Sequence, residues 1–486
     1  MLRLLLGRPL ANREHNERKL SPFEAVPAMG LDALGSSSYG PEAALTILIP
    51  LGAAGLAYIG FVMVPIIALL ALLYVSYRQT VRAYPVNGGG YNVAKQNLGP
   101  IASLVAAAAL MVDYVLNVAV GISAGVGALT SAVPALHPYT LELCLAILIV
   151  VTVLNLRGTL DAGRVLAVPT YVFVASAIAV LAIGVYKTIV AGGHPSPVVA
   201  PAPLAQASTT AAAATWLLLR SFAAGCTAMT GVEAVSDGVS AFREPVVKNA
   251  HVTLGMICAM LAVLLAGIAY LCHAYGIGAM DQTQDGYQSV VSQVTGAVVG
   301  RGWLYYVVVG TVLIVLCLSA NTSFVDFPRL CRMVAQDNYL PRAFALAGRR
   351  LVFSVGILYL ALTSGLLLVI FAGITDRLIP LFAIGAFTTF TISQTGLVVH
   401  WRRELGHSKS NGEKRQHRIR LVLNAAGALG TGLALVVILL AKFTEGAWIV
   451  VLVIPCVIVL LKTVHSYYAE LDSALRQPGP LDVRKS

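Results

Sequence analysis

The sequence consists largely of apolar stretches that are as long as a membrane is thick. A hydrocarbon core of about 30 Å requires roughly 20 consecutive apolar residues in a helix, and such stretches recur along nearly all 486 residues. Hydrophobic residues make up 58% of the chain and charged residues only 11%, unlike a soluble domain. The sequence therefore predicts an all-α integral membrane protein, because helices satisfy their own backbone hydrogen bonds in lipid.

Twelve transmembrane spans can be placed by this criterion. Five of the 33 Lys and Arg residues lie outside the loops on the side of the two termini: Lys187, Arg220, Arg301, Arg377 and Lys442. The positive-inside rule then places both termini in the cytoplasm of a multi-pass protein of the plasma (inner) membrane. The net charge of +11 thus reflects orientation, and no nucleic-acid partner is expected. The predicted spans are 22–50, 56–77, 100–131, 139–156, 164–190, 212–241, 251–277, 302–326, 351–373, 376–400, 419–441 and 446–466.

The first and sixth spans contain residues that disfavour a continuous helix. The first includes LDALGSSSYGP at 31–41, where the Gly/Ser run before Pro41 predicts an unwound link. The sixth includes GCTAMTGVEAVSDG at 225–238. Two interrupted helices at matching places in inverted halves are typical of a secondary transporter's binding site. The alternative is that these small residues only allow close helix packing.

A separation of five spans inverts the second copy, which predicts a division of the chain into two repeats. The predicted segments are a cytoplasmic segment 1–21, a first repeat 22–190, an extracellular loop 191–211, a second repeat 212–400, a basic cytoplasmic loop 401–418, the last two spans 419–466 and a cytoplasmic tail 467–486.

Carboxyl groups at membrane depth mark a candidate site. Each costs roughly 2.5–3.5 kcal/mol if it faces lipid, so Asp32, Asp113 and Glu233 are predicted to face one polar cavity. Asp113 and Asn117 share a face of the third span. Buried carboxyl groups near a cation can exchange a proton against it. The alternative for Asp113 is a protonated side chain bonded to a neighbouring carbonyl.

No sequence pattern indicates catalysis. The glycine cluster YPVNGGGYNVAK at 84–95 lacks the spacing of a phosphate-binding loop and is interpreted as part of an inner gate or as a flexible turn. No HExxH pattern is found, and the single GxSxG match, GISAG at 121–125, lies inside the apolar third span and not at the strand-to-helix turn that this pattern requires. We therefore predict no enzyme, no catalytic residues, no cofactor and no bound metal.

The chain resembles the amino acid/polyamine/organocation superfamily, and most closely its KimA-type bacterial potassium–proton symporters. The matching stretches are LDALGSSSYG at 31–40, SYRQTVRAYPVNGGGYNVAKQNLG at 76–99, VDYVLNVAVGISAG at 112–125, LNLRG at 154–158, GCTAMTGVEAVS at 225–236, SANTSF at 319–324 and LIPLFAIGAFTTFTISQTG at 378–396. The resemblance implies a LeuT-like 5+5 inverted-repeat fold with spans eleven and twelve appended.

The resemblance also implies ion-binding residues. The matching positions here are Asp32, Tyr39, Asp113, Tyr114, Thr230 and Glu233, with Asp32, Asp113 and Glu233 as proton-coupling groups. Three positions depart from the family pattern: Asn117 keeps an oxygen, whereas Gly121 and Phe382 each remove a side-chain hydroxyl. Proton-coupled potassium uptake is the function that this pattern favours.

Several alternatives stay open at this stage. A proton- or sodium-coupled amino acid permease would use the room left by Gly121 and Phe382 for a substrate side chain. Thr322 and Ser323 form a hydroxyl pair that is either a sodium site or ordinary helix packing. Arg220 is either an outer-gate charge or a side chain that snorkels to the interface. The partners expected are the lipid bilayer, the small cation or amino acid that is carried, and a second copy in a homodimer.

Overall fold

The computed structural model describes residues 19–85, 89–157, 163–204, 211–284, 286–346 and 353–475. Within these ranges the regular structure is helical, apart from an isolated bridge between Leu20 and Phe242. Nine helices in the described ranges are long and apolar enough to cross a bilayer. The prediction of an all-α membrane protein is therefore confirmed.

The α-helices are numbered here in chain order within the described residues. They are α1 Pro22–Met29, α2 Leu31–Leu48, α3 Ala53–Ala83, α4 Gly90–Asn97, α5 Pro100–Ala132, α6 Thr140–Leu156, α7 Gly163–Val190, α8 Ala211–Gly225, α9 Ala234–Asp237, α10 Val246–Tyr275, α11 Val290–Val299, α12 Trp303–Gln336, α13 Ser354–Ile370, α14 Thr375–His407, α15 Asn411–Lys442 and α16 Ala447–Leu475. Each predicted span coincides with one helix, or with two in the first and sixth spans. The sequence interpretation missed α4 and α11, which lie between spans.

The interruption predicted in the first span is at the wrong residue. The bend falls at Gly30, between α1 and α2, whereas the Gly/Ser run and Pro41 lie inside the continuous helix α2. The hydroxyls of Ser36 and Ser37 donate to the carbonyls of Ala33 and Leu34 in their own helix. The small residues there serve close packing, as the alternative interpretation held.

The sixth span is interrupted as predicted. Helix α8 ends at Gly225, a 3-10 turn covers Cys226–Met229, and the four-residue helix α9 follows only at Ala234. Between them Thr230 is extended, with φ −64° and ψ 151°, and Gly231 has a φ of +82°. The backbone therefore leaves helical geometry between α8 and α9.

Two helices in the C-terminal third extend beyond the predicted spans. The segment 401–418, expected to be a loop, is mostly helical, because α14 extends to His407 and α15 begins at Asn411. A capping box starts α15: the Ser410 hydroxyl accepts from the Gly412 backbone and Glu413 accepts from the Ser410 backbone. Helix α16 likewise extends to Leu475, inside the expected tail.

Helices α5 and α14 form the centre of the molecule. The most apolar 18 residues are 78% buried in α5 and 67% buried in α14, but only 17% buried in α16. Helix α5 packs against α12 and α14, and α2 packs against α8. The third, eighth and tenth spans thus pack together at the centre, whereas the twelfth is mostly exposed.

Candidate functional site

The break between α8 and α9 places backbone directly against Asp32. Gly231 has a left-handed φ of +82°, which favours glycine. A Cβ atom at this position would lie 2.6 Å from both Cβ and Oδ2 of Asp32. Residue 231 must therefore be glycine for two independent reasons, conformation and contact.

Asp32 occupies the first turn of α2, just after the bend at Gly30. Its side chain is only 6% exposed. The Asn117 side-chain amide donates to Asp32 Oδ2 over 2.9 Å, and the same nitrogen lies 2.9 Å from the Ser323 hydroxyl oxygen. One amide group therefore joins α2, α5 and α12 at the interrupted helices.

The three predicted carboxyl groups converge. Asp113 is close enough to Asp32 and Glu233 for their charges to repel one another, and all three side chains are buried. Asp113 Oδ1 and Glu233 Oε2 are buried without a hydrogen-bond partner in the described structure. Buried carboxylate oxygens without partners are costly unless a proton or a cation compensates them.

The neutral predicted residues surround this group. The Tyr39 hydroxyl faces Thr230 and lies in the field of Asp32 and Asp113. Tyr114 donates to Asp237 Oδ2 over 3.4 Å, at the end of α9 that is remote from Thr230. Tyr39 and Thr230 therefore lie beside Asp32, Asp113 and Glu233, which are called the carboxyl cluster. Tyr114 instead binds a fourth acid, Asp237.

Gly121 and Phe382, which lack the side-chain hydroxyls of the family pattern, are tightly packed. A Cβ on Gly121 would lie 2.8 Å from the Ser319 hydroxyl and 3.1 Å from the Leu316 carbonyl, so α12 occupies the space beside it. Phe382 is fully buried in the hydrophobic core. It lies one turn before Gly385, which packs against the Cβ of Asp113. The expected room for a substrate side chain at Gly121 is not there.

The hydroxyl pair on α12 is divided between two environments. Ser323 belongs to the cluster through Asn117. Thr322 donates to the Ser319 carbonyl in its own helix, over 2.6 Å, and lines a cavity on the other side. The sodium site proposed for this pair remains a prediction.

Two cavities lie on either side of the three carboxyl groups. They are called the outer and the inner chamber, according to the membrane orientation predicted from the sequence. The outer chamber is bounded by residues of α2, α5, α12, α14 and the segment before α11, including Ser38, Tyr39, Glu42, Tyr287, Ser289 and Asp376, and its free volume is about 20 Å³. The inner chamber is bounded by Met29, Gly238, Asn321, Thr322, Asp326 and Arg329 among others, with about 80 Å³. The first space fits one sphere of the size of a water molecule.

Specific contacts join distant segments at the outer chamber and at the inner end of α12. On the outer side, the Tyr287 hydroxyl donates to Glu42 Oε1 over 2.7 Å and the Val290 backbone donates to Oε2 over 3.2 Å. On the inner side, Tyr91 and Lys95 of α4 both bind Asp337 at the end of α12, at 2.6 Å. Burial and the Asp337 hydrogen bond raise the pKa of Tyr91, so that its phenol remains a donor.

Arg220 has a partner that the sequence did not reveal. It forms an ion pair with Glu445, in the turn between α15 and α16, and both side chains are partly buried. Lys442, which was assigned to an outer loop, is 1% exposed and donates to the Ile379 carbonyl of α14. These contacts attach α15 and its following turn to α8 and α14.

The sequence interpretation missed four acidic or basic groups that lie in or next to the two chambers. They are Glu42, Asp326, Asp376 and the buried Lys442. Glu42 could have been found, since it follows Tyr39 by three residues and so shares a helix face with it. Asp376 and Asp326 fall at span ends, where the sequence alone gives no reason to prefer a cavity over solvent.

This arrangement of buried acids at a broken helix is that of a membrane transporter, and the chain belongs to the amino acid permease family, which it matches over residues 32–462. It is similar to the potassium transporter KimA of Bacillus subtilis (strain 168), with 38% identity over 475 residues, which cover 98% of this chain and 75% of KimA. The resemblance derived from the sequence is thereby confirmed, and the protein is a transporter and not an enzyme.

Among solved structures, a manganese transporter of Eremococcus coleocola, in complex with an aromatic bis-isothiourea compound, aligns with 92% of this chain and 94% of its own. The identity is 12% and the TM-score 0.42. A TM-score this low does not establish a common fold.

Proposed function

We propose that this chain is a secondary active transporter that takes up potassium together with protons by alternating access. The similarity to a potassium transporter over nearly the whole chain supports the cargo. The observation that carries the proposal is the convergence of Asp32, Asp113 and Glu233 beside the break between α8 and α9.

The cluster has the oxygens that a dehydrated cation needs. A potassium ion must exchange its hydration shell for several oxygen dipoles. Asp32, Ser323 and the buried hydroxyls of Tyr39 and Thr230 lie around one point of the molecule, where Asn117 orients the first two. The carboxyl groups supply the net negative charge that attracts a cation, which a zwitterionic substrate does not require.

The same three acids would carry the protons. Carboxyl groups that repel each other in a buried site do not all ionise together. A proton on one of them is therefore exchanged when a cation arrives or leaves. In this scheme Asp32, Asp113 and Glu233 couple the two ions, and no cofactor takes part.

The proposed topology is twelve spans in a LeuT-like 5+5 inverted repeat, with both termini in the cytoplasm of the plasma membrane. Besides the nine long helices, the spans would be α1 with α2, α8 with the segment up to α9, and α13. The 17 residues of α13 reach about 25 Å at 1.5 Å per residue. Spans eleven and twelve would flank the repeats, and the exposed face of α16 would meet lipid or a second copy.

The main alternative is an amino acid permease, which the family name favours. The close approach of Ser319 to Gly121 weighs against it, because it removes the space for a substrate side chain. An amino acid would require a larger opening than the free volume beside this cluster provides.

Uptake by purified protein in liposomes tests the proposal. Labelled rubidium serves as the potassium analogue, beside a panel of labelled amino acids, each with a proton gradient, a sodium gradient or neither. We expect rubidium uptake that the proton gradient accelerates and that Asp113→Asn abolishes. Amino acid uptake without rubidium uptake would establish the alternative, and acceleration by sodium alone would move the coupling to Thr322 and Ser323.

A further inference from the structure

The outer chamber contains acidic groups that the proposed mechanism does not use. Glu42 lies ten residues beyond Asp32 on α2, about 15 Å along the helix, and is 8% exposed. Asp376, at the start of α14, is close enough to repel it electrostatically. Two carboxyl groups therefore face one small enclosed space.

Nothing on the chamber wall neutralises this charge. Among the described residues that line the chamber, none carries a positive charge. Arg377, next in the chain to Asp376, is exposed and faces Asp281 on the surface. Enclosed negative charge without a counter-charge is unfavourable, so the chamber requires a cation or a proton.

A second observation points to a bound ion and not only to a shared proton. The hydroxyl of Ser38, which also lines the chamber, is buried and has no hydrogen-bond partner in the described structure. The Glu42 oxygens, each with a single donor from Tyr287 or Val290, retain free lone pairs. These oxygens surround a space of about 20 Å³, and a bare potassium ion is similar in size to a water molecule.

We propose that the outer chamber is a second binding site for a monovalent cation, in which Glu42 and Asp376 supply charge and Ser38 a hydroxyl oxygen. The inference rests on the proposed transport of a cation. Tyr39 lies between the two sites, since it lines the chamber while its hydroxyl faces Thr230. An ion held beside Glu42 would wait there before it moves past Tyr39 to the carboxyl cluster.

Rubidium binding at equilibrium to the purified full chain tests this site. We expect Glu42→Gln to bind one rubidium ion fewer per chain than the wild type, while keeping the ion at the carboxyl cluster. Glu142→Gln is the matched control, because Glu142 is an exposed acid at the start of α6. Asp376→Asn gives an independent measurement if Glu42→Gln does not fold.

Tyr287→Phe separates ion binding from a purely mechanical contact. It removes the hydrogen bond to Glu42 but keeps both carboxyl groups, so we expect it to retain the extra ion with faster exchange. Equal stoichiometry in the wild type and Glu42→Gln would overturn the outer site alone. Identical loss in Glu42→Gln and Tyr287→Phe would show that Glu42 only holds the segment before α11. No rubidium bound to the wild type would overturn the proposed function as well.

Discussion

At the scale of single residues, the site depends on contacts that leave no tolerance for extra atoms. Gly231 and Gly385 bring backbone against Asp32 and Asp113, and Asn117 orients two oxygens from different helices. The sequence identified the acids, because charges in apolar spans stand out. It could not identify which glycines touch them, because a glycine in a membrane helix has many uses.

We expect Gly231→Ala to abolish rubidium uptake. The substitution strains a left-handed backbone by about 1–3 kcal/mol and places a methyl group on the Asp32 carboxylate. Gly192→Ala is the matched control, since Gly192 has a φ of +62° but faces open space. Uptake in liposomes and melting temperatures in detergent check both variants; equal uptake by the two would contradict a role for the contact.

Asn117→Ala should weaken rubidium binding at the carboxyl cluster at least tenfold. It leaves Asp32 and Ser323 without their shared donor, and an unsatisfied buried group costs about 1–3 kcal/mol. Asn155→Ala serves for comparison, because Asn155 is also buried but donates only within α6, to Val151. Equilibrium binding distinguishes them, and a similar loss in Asn155→Ala would mean that the effect reflects general destabilisation.

At the scale of elements, the sequence predicted where the long helices lie, but not where they begin and end. Apolar length located the nine helices of the described residues that are long enough to cross a bilayer, since a bilayer imposes that length. The sequence predicted the bend of the first span at the Gly/Ser run, whereas it lies at Gly30. The run stays helical because its serine hydroxyls can bind carbonyls of their own helix. The capping box at Ser410 and Glu413 was legible in the sequence and would have started α15 correctly.

The ion pair between Arg220 and Glu445 is expected to act as a tie between α8 and the turn before α16. Partly buried pairs lose stability when one member is removed, because the other charge remains. Arg220→Met and Glu445→Gln should each lower the melting temperature, and the double variant should lower it by less than the sum. Uptake should be retained in the double variant. Retained stability with lost transport would instead favour the gate that the sequence suggested for Arg220.

At the scale of the whole molecule, the carboxyl cluster lies between the outer and inner chambers, and a contact between distant segments lies on each side of it. The inner contact joins α4 to α12 through Asp337, and the outer one joins the segment before α11 to α2 through Glu42. The sequence could not predict these contacts, because their partners are separated by more than 200 residues. Periodicity identifies faces of helices, but it does not say which distant segments meet.

We expect Asp337→Asn to shift the molecule towards an opening on the inner side. The change weakens the ties from Tyr91 and Lys95, so the inner chamber should become more accessible. The readout is the rate at which a thiol reagent modifies Thr322→Cys, in a background where the exposed Cys456 is replaced by alanine.

Asp472→Asn is the control for this measurement, because Asp472 is an exposed acid near the end of α16. An increase of about fivefold, or roughly 1 kcal/mol, is expected for Asp337→Asn and none for the control. Equal labelling rates in the two variants would show that α4 does not close this side.

The narrowness of the outer chamber has a consequence for discrimination among ions. A space of about 20 Å³ admits a cation only after most of its hydration water has been removed. Sodium and divalent ions bind that water more strongly than potassium does, so entry into the chamber costs them more dehydration energy. Selectivity would then be exercised at the entrance, before any ion reaches the broken helix.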